Sequence, residues 1–467
     1  MKVYQNLEKL QNDESARQEF VKELVQEHKG CERYRVARDA EAYYAKRNIT
    51  ILNYQKMLRT ATGEAVKDVW SSNYKLTHGF FRQFVLQQVQ YVLSNGVTFG
   101  KKDTKDKLGT QFDNRLQDLA KKACVDGVAF GFWNCDHLEV FSFADTPNSP
   151  GFAPLYDQDT RALRAGVRYW SFEDGTKRWT LYEPDGLTEY IQRDKEKMMV
   201  LQEKQPYKRQ IKRTEADGIV DVIGENYPGF PIIPMYANDL QESELIGIRP
   251  SIDCYDFIMS GMANNVDETS AFYWVLKGTG GMEDADLVNF VNRMKQLHAV
   301  VLDRGVDAQA NTLAVPVDAN KMLLDYLKDD MYENSMLMNP AKALSGNMTA
   351  TAIRLSYQQQ DDKCGDFEYC IRDFIANLLK IVGVEDEPSF KWNRIANQTE
   401  ETQMVMTAAE YLDDEAVLNH LPWLTPEEIK ELLKRKSAEE LDRTINNPQP
   451  NEPQNQPGEG LNGDGET

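Results

Sequence analysis

Two glycine-containing stretches and two sets of side chains in this chain are of types that could do chemistry. "GVTFGKK" (96–102) has the outline of a phosphate loop, in which glycine N–H groups and a lysine cradle phosphate oxygens. It has one residue too few between its glycines and lacks the hydroxyl residue after the lysine. It also follows a helix-patterned run, where a phosphate loop follows a strand. "KGTGG" (277–281) lacks the strand-to-helix setting of a dinucleotide fingerprint and reads as a turn. HExxH and GxSxG are absent. His28, His78, His137, His298 and His420 are scattered without ligand spacing. His78 lies among apolar positions and reads as a satisfied, partly buried histidine. The acidic pairs Asp329-Asp330, Asp361-Asp362 and Asp413-Asp414 fall on helix-patterned segments. Neighbours on a helix point about 100° apart and do not face each other. These pairs read as solvated faces or as the lining of a channel. No catalytic residue, metal site or cofactor is assigned, and an enzyme is not expected.

Composition narrows the partners. Lys and Arg total 54 against 74 Asp and Glu, a net charge of −20. Phosphate binding relies on clustered Lys and Arg, so any DNA this protein meets is met without a tight grip. Apolar residues are 41% and aromatics 10% of 467 residues, enough for a sizeable core in two to four domains. Cys31, Cys124, Cys135, Cys254, Cys364 and Cys370 show no CxxC spacing and read as free thiols in a reducing compartment. No 18-residue apolar run is present, so no membrane-spanning helix is expected. "MKVYQNLEKLQNDESARQEF" is too polar for a signal peptide, which implies synthesis in the cytoplasm.

The elements that would position any site follow from periodicity. Residues 14–29 and 31–47 read as amphipathic helices, and 110–126 as a further helix ending at Asp126-Gly127. Over 74–96, Phe80, Phe81, Phe84, Val85, Val89, Val92 and Leu93 fall at helical spacing before an Asn95-Gly96 stop. Alternating runs at 128–143, 165–172, 177–184 and 187–193 predict a small antiparallel meander, with Pro184-Asp185-Gly186 as a turn. Residues 196–220 read as a charged loop or hairpin, and the prolines of 227–239 predict extended chain. Then come a helix (245–271), a strand (272–281), a short helix and strand (282–302), a strand (312–317) and a helix (319–339). The loop "NPAKALSGN" (339–347) leads into a long helix. An isolated strand (389–395) and helices at 400–420 and 426–443 follow. From 444 the chain is polar, acidic and reads as a disordered tail.

Four stretches carry a resemblance. "YYAKRNITIL" (43–52), "NYKLTHGFFRQFVLQQVQYVLSNGVTF" (73–99), "YPGFPIIPMYANDLQESEL" running on to "SIDCYDFIMSGMANNVDETS" (227–270), and "SGNMTATAIRLSYQQQDDKC" (345–364) are similar, in order and spacing, to segments of the portal proteins of tailed bacteriophages of the SPP1 type. Val97 departs from the proline common at its position in that family. The resemblance covers most of residues 30–400. It implies an α+β, mainly helical portal fold with wing, stem, clip and crown regions, long stem helices and a small antiparallel β wing. By position, residues 1–244 would be wing, rejoined by 384–399. Residues 245–271 and 318–338 would be stem helices, 272–317 the clip and 339–348 the tunnel loop. Residues 349–383 would be a long channel-to-wing helix, 400–443 the crown and 444–467 the tail.

The resemblance also implies function and partners. These are a homo-oligomeric ring, expected as a dodecamer, at one capsid vertex of a virion made in the host cytoplasm. Double-stranded DNA would pass through its channel in packaging and ejection, held weakly and without sequence preference. The terminase large subunit, the head–tail adaptor, scaffold and the major capsid protein would dock on it, and no membrane is involved. The alternative is another virion component, a minor capsid or connector protein without a DNA channel. Asn339, Pro340, Lys342, Ser345, Gly346 and Asn347 would face DNA on the tunnel loop. Asp325, Asp329 and Asp330 are candidate channel-lining acids. Lys277, Gly278, Gly280, Gly281, Arg293 and Lys295 fall in the clip.

Overall fold

A computed structural model describes residues 2–59, 64–69, 71–194, 196–213, 220–268, 273–277, 307–311, 317–341, 350–393, 405–421, 429 and 431–436. The chain divides into two units. One comprises 1–347 with 353–393, and the other 348–352 with 394–467.

The larger unit opens with helices α1 (Tyr4–Glu8), α2 (Glu14–Gly30), α3 (Glu32–Tyr44) and α4 (Ile49–Asn53). Asp13 starts α2 by accepting from Ala16 N at 3.0 Å, and Asn48 starts α4 by accepting from Ile51 N at 3.2 Å. A short antiparallel arm follows, β1 (Met57–Arg59) with β2 (Ala65–Lys67). Then come α5 (Phe80–Leu93), β3 (Val97–Phe99), α6 (Lys102–Leu108) and α7 (Phe112–Asp126). Gly127 closes α7 at φ +84°. A Cβ there would sit 2.8 Å from the backbone of Glu242, so both conformation and space call for glycine.

The meander is larger than its alternation suggests. The strands β4 (Val128–Asn134), β5 (His137–Ser142), β6 (Gly151–Tyr156), β7 (Leu163–Ser171), β8 (Lys177–Glu183), β9 (Gly186–Gln192) and β10 (Met199–Gln205) lie in one sheet. A separate hairpin, β11 (Lys208–Arg213) with β12 (Val220–Glu225), follows, and β13 (Ile232–Tyr236) returns to pair with β4. The eight-stranded order is β10-β9-β8-β7-β6-β5-β4-β13, antiparallel except at β5–β6. The charged run that reads as a loop or hairpin supplies both an edge strand, β10, where one solvated face tolerates charge, and the first strand of the β11/β12 hairpin.

Strand alternation sends side chains to two apolar clusters. Phe152 joins Phe130, Phe141 and Tyr182 with α3, α5 and α7. Ala153 and Leu155 on the other face of β6 join Phe20, Leu24, Trp179 and Tyr190 with α1 and α2. Gly166 makes room for Phe152, because a Cβ there would meet the ring at 2.1 Å.

Beyond the sheet come α8 (Arg249–Glu268), β14 (Tyr273–Lys277), β15 (Asp307–Asn311), α9 (Val317–Asn334), α10 (Ala350–Val382) and β16 (Pro388–Phe390). β14 and β15 pair antiparallel. The partner of β14 is thus 307–311, ahead of the strand expected at 312–317; Val317 already starts α9, and 312–316 lie outside the described residues, as does 282–302. α10 buries Phe367, Ile371, Phe374 and Leu378 in the first cluster. β16 pairs with β3, so the strand that looked isolated adds to the N-terminal part of the chain.

In the smaller unit, α11 (Asp414–His420) is capped by Asp413, which accepts from Ala416 N at 3.0 Å. Lys436 pairs with Asp414. The residues expected in the tail, 444–467, lie outside the described residues.

Candidate functional site: a helical hairpin strapped by the N-terminal arm

The segments that the sequence marks for DNA passage sit around α8 and α9. Ser251 donates to Asp330 at 2.7 Å, and Tyr255 feels the charge of Asp325. Residue numbers rise on one helix as they fall on the other, so the helices run antiparallel, with the β14/β15 ladder inserted between them.

Away from α9, a different contact holds α8. Its Asp256 is fully buried. The carboxylate accepts from Asn48 Nδ2 at 2.8 Å and from the His78 backbone at 3.2 Å, and lies 2.6 Å from His78 Nδ1. One turn on, Ser260 Oγ accepts from Leu76 N at 3.0 Å, and a further turn on Asn264 Oδ1 accepts from Tyr74 N at 2.7 Å. Alternate N–H groups of an extended strap thus meet side chains four apart on one helix. Two extended residues advance about 6.6 Å and four helical residues about 6.0 Å, so the two repeats match. This explains why the helix predicted from 74 begins at Phe80. The backbone of 74–78 is committed to α8, and Gly79 stands at the helix start.

Tyr43 reinforces the joint by donating to Asp253 at 2.5 Å. Burial raises its phenol pKa to about 12, so it keeps the proton it donates. Arg249 pairs with Asp39 at 2.8 Å. None of these groups was singled out from sequence except His78. The signal available was the polar stripe Asp256, Ser260, Asn264 at i, i+4, i+8 in an otherwise mixed helix.

The predicted site residues distribute unevenly. Asp325 is exposed on α9. Asp329 is half-buried and accepts from Asn339 Nδ2 at 3.2 Å. Asn339, expected on an exposed loop, is buried, and its Oδ1 accepts from Ala341 N at 3.1 Å. It ties the start of the loop to α9. Met338 N donates to Gln360 on α10 at 3.0 Å, fixing the same point from the other side. Pro340 is exposed. Lys342, Ser345, Gly346 and Asn347 lie outside the described residues, as do Gly278, Gly280, Gly281, Arg293 and Lys295. Lys277 ends β14 opposite Asp307.

The glycine-lysine loop at 96–102 cradles an anion belonging to the chain itself. Gly100 N and Lys101 N donate to the Asp386 carboxylate at 3.1 and 3.0 Å, and Thr104 Oγ1 at 2.5 Å. Those hydrogen bonds, Thr104 first, hold the Asp386 pKa down at about 2. Among the described residues, no three His, Cys, Asp or Glu side chains are grouped as metal ligands. No described helix is long and apolar enough to cross a membrane.

The family described as "Phage portal protein, SPP1 Gp6-like" matches residues 23–441. The chain belongs to this family. The portal protein of Clostridium phage phiCD119 is 21% identical over 420 residues, covering 84% of this chain and 90% of the relative. The portal protein of Bacillus phage SPP1 is 24% identical over 376 residues, covering 74% and 72%. Among solved structures, a chain in the neck of an empty gene transfer agent particle is similar at 10% identity and a TM-score of 0.40, covering 73% of this chain and 88% of that one. A chain in the neck of the native particle is similar at 12% identity and a TM-score of 0.37, with the same coverage. Membership in the portal family makes this chain a structural, non-enzymatic virion component with a portal function at the capsid vertex.

Proposed function

We propose that copies of this chain close into a ring, a dodecamer, whose axial channel passes double-stranded DNA during packaging and ejection. The observation that carries this reading is the antiparallel α8/α9 hairpin with a β ladder inserted at its tip, in a chain of the portal family. On this reading α8 and α9 form the stem. The insert 272–317 is the clip, where the terminase large subunit and later the head–tail adaptor dock. The segment 339–348 is the tunnel loop, and α10 runs from channel to wing. The pairing of β16 with β3 supports residues 384–399 rejoining a wing built from 1–244. Residues 400–443 are the crown, and scaffold and major capsid protein meet the outer surface.

Asp325 and the flank of α9 that carries Asp329 supply negative charge to the channel. Asp330 adds to it while accepting from Ser251. Like charge repels phosphates, so DNA slides through a wall of carboxylates without being held. Mass photometry with negative-stain imaging of the purified protein tests the ring. Twelve chains of 53.5 kDa give about 640 kDa and a particle with a central hole. A stable monomer or dimer, unchanged on adding scaffold or capsid protein, sinks the reading.

A further inference from the structure

The arm and α9 lie on opposite sides of α8. On a helix of 100° per residue, the positions bonded to the strap (Asp256, Ser260, Asn264) and Ser251, which is bonded to Asp330 of α9, stand roughly 180° apart. The order across this region is therefore arm, α8, α9, and it leaves two different faces outermost.

The α9 face is apolar with acids around it. Leu324 is buried, and Met322 and Tyr326 stand about 160° and 200° round the helix from it. They are 56% and 66% exposed, and the neighbouring Leu323 is 45% exposed. Residues 317–334 carry five acids against two lysines. At the other end, a cavity of about 160 Å³ opens between the arm and α8. It is lined by Tyr54, Asn73, Tyr74, Phe257, Gly261 and Asn264 among others. Phe257 is half exposed and makes an edge contact with Tyr54, centroids 5.3 Å apart. Met57, Val66 and Val69 extend the exposed apolar surface along the arm. Residues 54–76 carry four basic residues against two acids, in a chain of net charge −20. The cavity is smaller than the ~300 Å³ at which small-molecule pockets begin, and suits one inserted side chain.

We propose that these two faces are the halves of one contact between neighbouring copies. Tyr326, with Met322 beside it, seats in the cleft between the arm and α8 of the next copy, and the acidic surround of α9 meets the basic arm. Two unlike faces on opposite sides of a protomer make a head-to-tail contact, the kind that generates rings. Tyrosine is a favoured anchor for such a contact, and the opposite charges set its register. Asp329, seven residues and so about 20° round α9 from Met322, belongs to the acidic rim of this contact, while Asp325, about 100° from Tyr326, stands to its side. The proposal rests on the ring reading above and names what holds neighbours together.

The test compares wild type with Met322→Glu/Tyr326→Glu and with Phe257→Glu, all of them substitutions at exposed positions. If wild type forms no ring, the ring reading itself fails. If wild type forms rings, each variant is expected to run at about one-twelfth of the ring mass, with an unchanged thermal unfolding midpoint. A photo-crosslinking residue at 326, in rings assembled from isotopically light and heavy chains, should join to 54–76 or 249–268 of the other chain. Rings formed by both variants, or crosslinks that stay within one chain or land elsewhere, overturn the proposal. If a glutamate variant unfolds, Tyr326→Ser replaces it, and the crosslink map decides independently.

Discussion

Around the eight-stranded sheet rings cluster at the centre of the core, and on the side of α8 that faces the strap the buried groups are polar. Phe152 meets Phe130, Phe141 and Tyr182 at centroid distances of 4.6, 5.7 and 6.4 Å. On α8, Asp256, Ser260 and Asn264 are the buried groups facing the strap, and each accepts a backbone N–H. Ring packing is forgiving in direction, and its strength grows with area removed from water. Side-chain acceptors on a helix demand one register and lose much when that register is lost. The sheet thus supplies bulk stability, and the strap supplies the position of the hairpin.

The largest effect should come from the sheet. Phe152→Ala removes a ring at the centre of the cluster and is expected to cost about 4 kcal/mol. Urea unfolding of the variant beside wild type would read it. A loss below about 1 kcal/mol would mean that the cluster collapses around the gap.

Asp256→Ala should cost nearly as much by the opposite route, about 3 kcal/mol, because it strands the Asn48 amide and the His78 N–H in a buried place. Asp256→Asn keeps an acceptor and should recover part of the loss. Equal losses in the two variants would show that the charge, and not the hydrogen bonding, holds the joint.

The sheet region also carries a pH dependence. His28 on α2 is buried beside Phe143, with Nε2 2.9 Å from the Phe143 carbonyl. Burial, partly offset by that carbonyl, lowers its pKa from 6.5 to about 4. Above pH 6.5 both folded and unfolded chains hold the imidazole neutral, and its contribution is complete. Between pH 6.5 and 4 only the unfolded chain takes up the proton, so stability falls by up to about 3 kcal/mol. Asp126, whose pKa burial raises, acts in the other direction: its protonation stabilises the fold as pH falls. His28→Gln keeps a donor and should flatten the loss over that window relative to wild type. Parallel pH profiles for the two proteins would rule out the histidine as the cause.

The same contrast explains what could be read from the sequence. Sheet strands announce themselves because alternation and turn residues are local, and β4, β5, β7, β8 and β9 fall where they were expected. The long α10 and the apolar stripe of α5 were legible for the same reason. β10 was not, since an edge strand exposing charge lacks apolar alternation. β15 was not read from the sequence, because "DAQAN" has few strand formers; pairing, not propensity, sets that strand. The strap was missed because its acceptors lie about 180 to 190 residues away in sequence. Of the site, the two helices were visible as elements. The anchoring role of Asn339 and the buried Asp256 depend on tertiary partners that no local pattern encodes.

The smallest predicted effect sharpens the comparison most. Along the strap the acceptors fall from a carboxylate with several donors, at Asp256, to a single carboxamide bond, at Asn264. Asn264→Ala should therefore cost only about 1 kcal/mol globally. Locally it frees the end of the strap nearest the arm, because Tyr74 N loses its acceptor. Hydrogen exchange separates the two scales. The Tyr74 amide should exchange much faster in the variant, while Leu76 and His78, still held by Ser260 and Asp256, stay protected. If all three amides lose protection together, the strap opens as one unit and its register is set by the arm. If only Tyr74 does, each acceptor holds its own residue, and α8 positions the strap turn by turn.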